Sequence, residues 1–89
     1  MTIQQLADTF NLRPKEALAL AYMLENEGYA SLRSLATAIG LSVEAEDWGD
    51  THNNLSVVIH NLRKKLPPNS VINRRGYGFR ADRETVFGG

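Results

Sequence analysis

Leu55, Ile59, Leu62 and Leu66 recur at intervals of four, three and four residues, and Pro67-Pro68 follows at once. That spacing lines one face of an α-helix over about 53–66, and the two prolines stop it because they carry no N–H to donate. Directly afterwards, Val71-Ile72-Asn73-Arg74-Arg75 and Phe79-Arg80-Ala81 flank Gly76-Tyr77-Gly78, the pattern of two short strands around a glycine-bearing turn. A long amphipathic helix that feeds straight into a hairpin must find the cover for its apolar stripe among the residues before it.

Those residues supply helices. Thr2-Ile3-Gln4-Gln5 fits a capping box, and Ile3, Leu6, Ala7 and Phe10 follow at helical spacing over about 3–10. Pro14 suits the first turn of a second helix, in which Ala17, Leu18, Ala21, Tyr22 and Leu24 form a wide apolar face and Asn26-Glu27-Gly28 gives the stop. Ser31 caps a third helix with the stripe Leu32, Leu35, Ala36 and Ile39, ended by Gly40. Leu41 to Asp50 has no clean period and carries Glu44, Glu46, Asp47 and Asp50 around Trp48, so an exposed loop is expected there, with Thr51 or Asn53 capping the helix that follows. The tail 83–89 is expected to fray. The reading is one domain, 1–89, with its core at about 3–82: mainly α, about four helices and a C-terminal two-stranded hairpin.

Composition narrows the chemistry. The chain has no cysteine, which removes disulfides, thiolate nucleophiles and sulfur-built zinc sites. Its longest apolar run, Ala17 to Leu24, is far short of the ~20 residues that span a bilayer, and the first residues lack the basic and apolar regions of a signal peptide, so a cytoplasmic protein away from membranes is expected. A chain of 89 residues has little room for a core plus an elaborate catalytic cleft. His52 and His60 lie eight residues apart, over two helical turns, too far to share a metal without other ligands. The expectation is no enzyme, no cofactor, no metal and no small-molecule substrate.

Charge is uninformative until it is divided. Ten basic and ten acidic residues cancel overall, but residues 1–50 hold three bases and eight acids, while residues 51–89 hold seven bases and two acids, with no acid at all from 51 to 81. Screening acts over roughly 8 Å at physiological salt, so a polyanion responds to the local cluster more than to the sum. At about 100° per residue, the face of the 53–66 helix opposite the leucines carries Asn53, Val57, His60, Asn61 and Lys64: amides, a methyl pair, an imidazole and an ammonium, suited to base edges, a thymine methyl and phosphates in a major groove. Any solvated helix face is polar, but an exposed valine and two asparagines, poor helix formers, are unusual choices for one. The hairpin adds Arg74, Arg75 and Tyr77 beside glycines that allow a close backbone approach.

The run Leu62-Arg63-Lys64-Lys65-Leu66, then eight residues, then Arg75-Gly76-Tyr77-Gly78-Phe79-Arg80, resembles the winged-helix DNA-binding domain of OmpR/PhoB-type response regulators. Leu12-Arg13-Pro14-Lys15-Glu16 resembles that family's L-T-P-x-E helix start, and Ser31-Leu32-Arg33-Ser34-Leu35 more loosely its S-R-x-x-L helix. The similarity covers residues 12–81. It implies a winged helix-turn-helix fold and sequence-specific binding of double-stranded DNA by a bacterial or phage transcriptional regulator, with Arg63 and Lys64 on the recognition helix, Arg75 as the wing arginine in the minor groove and Phe79 as the core aromatic. The family's recognition arginines fall at His60 and Asn61 here, a departure that changes what base sequence is read. The eleven residues before the region of similarity cannot build the family's leading four-stranded sheet, and no receiver domain is present, so a stand-alone regulator, a monomer or weak dimer, is expected.

In some family members the segment before the recognition helix contacts RNA polymerase. Its equivalent is Leu41 to Asp50, where Trp48 either pins the loop to the helical core or forms an exposed contact for RNA polymerase or another protein, with Glu44, Glu46, Asp47 and Asp50 steering a basic partner. The competing reading of the whole chain is a winged-helix protein-interaction module that binds RNA polymerase or another regulator without reading DNA.

Overall fold

The Thr2 hydroxyl accepts from the Gln5 N–H at 3.1 Å, and the Gln5 side chain accepts from the Thr2 N–H at 2.7 Å. This reciprocal cap opens α1, Ile3–Phe10, in a computed structural model that describes residues 2–88. Asn11 ends α1 in the left-handed conformation, and Pro14 starts α2, Pro14–Glu25, as its sequence position predicts. Within α2 the fully covered residues are Glu16, Ala17, Ala19, Leu20 and Met23, whereas Leu18, Ala21, Tyr22 and Leu24 are half-buried. The core face is thus turned from the one expected. An uninterrupted apolar run from 17 to 24 has no polar side to fix its phase.

A two-residue strand, β1, Ala30–Ser31, precedes α3, Leu32–Ala38, which Ser31 caps by accepting from the Ser34 N–H at 3.1 Å. Next come a single 3-10 turn, Ala45–Asp47, and α4, Trp48–Lys65. The strands β2, Val71–Arg74, and β3, Gly78–Ala81, form the hairpin, and α5, Arg83–Val86, ends the described chain. Among the described residues the fold is therefore mainly helical, with five helices and a small antiparallel sheet.

Three expectations need correction. The hairpin has a third strand, because β1 pairs antiparallel with β3 to give the order β1-β3-β2. The expected exposed loop at 41–50 is in part helical: α4 begins at Trp48, five residues before the expected start at 53. Neither Thr51 nor Asn53 caps it; Thr51 lies inside the helix, buried, with its hydroxyl donating to the Ser42 carbonyl at 2.6 Å. The tail is docked: Val86 is 2% exposed, the Phe87 ring lies 6.2 Å from that of Phe10, and Arg83 donates to the Leu24 carbonyl. Gly89 lies outside the described residues. The apolar residues of the tail cover the open side of α1 and α2, which two short helices alone would leave wet.

One apolar cluster runs from Leu6 to Val86 and takes in Leu20, Leu35, Leu55, Ile59 and Leu62. Each such leucine, removed wholly from water, contributes about 2 kcal/mol. No helix among the described residues is long and apolar enough to cross a membrane.

Candidate nucleic-acid interface

With Thr51, Leu55, Ile59 and Leu62 buried, the helical repeat turns Asn53, Val57, His60 and Lys64 outward, and all four are exposed. Val57 is 58% exposed, the most of any large apolar side chain described. Asp50 falls on this same face, one turn before Asn53, so an acid stands at the head of the row. Asn61 sits off the row. It is half-buried and lines a shallow depression of about 330 Å³ with Arg13, Pro14, Lys15, Glu16 and Val58, at the edge of α4 that meets the start of α2.

The opposite edge of α4 meets the hairpin. Arg63 donates to the Val71 carbonyl at 3.2 Å, and its guanidinium lies 5.6 Å from the centre of the half-buried Phe79 ring. These contacts tie the last turns of α4 to β2 and β3. The hairpin turn is closed by the Tyr77 N–H donating to the Arg74 carbonyl at 2.9 Å, with Gly76 at φ 77°, a left-handed conformation that suits glycine. The Tyr77 carbonyl in turn accepts from the Leu32 N–H at 3.0 Å, so the turn is fastened to α3 as well.

The basic residues are not equally available. Lys65 reaches back to α2 and pairs with Glu16 at 2.7 Å; Glu16, 3% exposed, also accepts from the Arg13 N–H at 2.9 Å. Burial pushes the Glu16 carboxyl up, but the hydrogen bonds from Lys65 and the Arg13 backbone, with the charges of Lys65 and Arg13, outweigh it and hold the group below its ordinary value of 4.5. Lys65 is committed to this pair. Arg80 is half-buried, and its guanidinium lies 5.7 Å from the centre of the Tyr29 ring. Arg74 is exposed, with its guanidinium 5.9 Å from the centre of the Tyr29 ring and 5.4 Å from that of Tyr77. Lys64 and Arg75 are exposed and have neither an ion pair nor an aromatic partner among the described residues.

Trp48 is half-buried, with the Arg33 guanidinium 4.5 Å above its ring while the same guanidinium donates to the Val43 carbonyl at 3.0 Å. The ring meets Arg33 of α3 at the start of α4. Glu44, Glu46 and Asp47 are exposed around it, and Asp47 accepts from the Ser42 hydroxyl at 2.8 Å. Trp48→Ala is expected to lower the melting temperature by about 5 °C, since a cation–π pair contributes about 1 kcal/mol and a domain this small shifts about 4–8 °C per kcal/mol. Unchanged melting would show that the ring anchors nothing.

Sequence reasoning missed Arg13, Lys15 and Glu16 beside α4, and Tyr29 beneath two arginines. Glu16, three residues after the cap residue Arg13, carried a capping signal; Tyr29 carried none, because β1 is too short for a strand period. Compared with protein-family models, curated proteins and solved structures, the chain has no significant match to any of them.

Proposed function

We propose that this protein binds double-stranded DNA in a sequence-specific way and acts as a small transcriptional regulator, with α4 in the major groove and the hairpin tip at the minor groove, as its resemblance to OmpR/PhoB-type winged-helix domains implies. The observation that carries the reading is the row Asn53, Val57, His60 and Lys64, exposed on a helix that Arg63 ties to a hairpin with Arg75 at its turn. A solvated face would account for Asp50 at the start of α4 and Arg63, Lys64 and Lys65 at its end, since each complements the helix dipole. It does not account for Val57 or Asn53. In a major groove, Val57 meets a thymine methyl, Asn53 can pair with adenine, and the Asp50 carboxylate can accept from a cytosine amino group. The acidic segment around Trp48 then faces away from the phosphates at Glu44, Glu46 and Asp47, the side open to RNA polymerase or another protein.

The test is duplex binding followed by fluorescence anisotropy across a salt series. Phosphate contacts from Arg63, Lys64, Arg74 and Arg75 give a log–log slope of about −3.6, at about 0.9 per contact. Lys64→Ala is expected to flatten the slope by about 0.9 and to weaken all sequences equally. Absence of salt-dependent duplex binding by the unaltered protein would overturn the reading in favour of a protein-interaction module.

A further inference from the structure

A helix about 10–12 Å across that lies in a groove about 12 Å wide has a phosphate strand along each of its edges. On one edge of α4 the hairpin and Arg63 supply positive charge. On the other edge stands the start of α2, and there the depression lined by Arg13, Pro14, Lys15, Glu16, Val58 and Asn61 opens to solvent. We infer that Arg13 and Lys15, with the apolar floor between them, hold the sugar–phosphate backbone of the DNA strand that runs along this edge. The inference rests on the DNA-binding reading above and adds a second strand to it.

The chemistry of the depression fits that occupant. Arg13 and Lys15 are exposed cations at its rim, while Pro14 and the half-buried Val58 offer apolar surface to a deoxyribose and Asn61 offers an amide to a phosphate oxygen. Glu16, the single acid of the lining, is buried and neutralised by Lys65, so it does not repel the strand. The same ion pair fixes the start of α2 against α4, which sets the distance between the two cations and the outward row. Both cations belong to the acidic half of the sequence. Only the fold brings them beside the basic helix.

The experiment compares the unaltered protein, Arg13→Gln/Lys15→Gln and Lys64→Ala on one duplex over the same salt series. Both glutamine substitutions keep the Arg13 backbone N–H that Glu16 uses, and thermal melting checks that each variant is folded. With these two contacts added, the unaltered slope becomes about −5.4, and the double variant is expected to be flatter by about 1.8 and to lose affinity equally on all sequences. Restoring charge with Arg13→Lys/Lys15→Arg should return the slope. A double variant with the unaltered slope, while Lys64→Ala is flatter, would overturn this inference and leave the DNA-binding reading standing. No salt-dependent binding by the unaltered protein would overturn both.

Discussion

Gly78→Ala should lower the melting temperature by about 15 °C or more, and Gly76→Ala, two residues away in the same turn, by much less. A Cβ at Gly78 would stand 1.8 Å from the Ala30 carbonyl oxygen and 2.8 Å from its carbon, both backbone atoms that no side-chain rotation can clear. Gly78 lies opposite Ser31 in the β1–β3 pairing, while Ala30 is 2% exposed in the core and the Tyr77 carbonyl holds the Leu32 N–H. β1 therefore cannot step aside without withdrawing Ala30 and uncapping the register of α3. Overpacking against fixed backbone costs about 3 kcal/mol or more, and each kcal/mol moves a domain of this size by about 4–8 °C. Gly76 has open space around its missing Cβ, and its requirement is the left-handed φ alone. That costs an alanine about 1 kcal/mol and an asparagine less. The sequence reading gave both glycines the freedom to approach another surface. For Gly78 the surface approached is the chain's own β1. Thermal melts of the two alanine variants check the ordering, and equal losses would contradict it.

Elements that carry a chemical mark at their ends were readable in the sequence. Thr2 with Gln5, Pro14, Ser31, Gly40 and Pro67 mark helix ends through groups that satisfy or remove backbone hydrogen bonds, and the structure has helix ends at or next to each of them. The start of α4 has no such mark. Trp48, Gly49 and Asp50 are helical because remote groups hold them: Arg33 over the Trp48 ring and the Ser42 carbonyl on the Thr51 hydroxyl. The outward row of α4 was legible because a 3.6-residue period fixes which side chains oppose the leucines. How its charges are used was not, because their partners are far away in the chain: Lys65 pairs with a residue 49 positions earlier, and Arg74 lies over Tyr29. For the same reason, dividing the chain into an acidic and a basic half did not show that Arg13 and Lys15 lie beside Val58 and Asn61 of α4. Periodicity reports faces, and only packing reports neighbours.

Lys65→Met should cost about 3 kcal/mol at neutral pH, and Glu16→Gln should cost less, although both break the same pair. The asymmetry follows from burial. The Lys65 side chain is 30% exposed and that of Glu16 is 4% exposed, so an unpaired ammonium can turn to water and an unpaired carboxylate cannot. Glutamine at 16 also keeps an oxygen for the Arg13 N–H, which would otherwise be orphaned. Combining the two substitutions should recover much of the loss, because the apolar methionine then faces a neutral amide. The pH dependence separates this account from simple loss of packing. In the unaltered protein the Glu16 carboxyl is held below its ordinary value of 4.5, so its stabilisation is complete above that pH and fades as pH falls through the depressed value. Without Lys65 the strongest of the opposing contacts is gone, and burial raises the group, which then folds most favourably when protonated. The melting temperatures of the unaltered protein and Lys65→Met should accordingly converge as the solution is acidified through about pH 4.5, starting above it as the raised carboxyl of the variant takes up its proton and finishing below it in the unaltered protein. A gap that stays constant across that range would mean that the cost lies in the lysine's aliphatic packing and not in the stranded carboxylate.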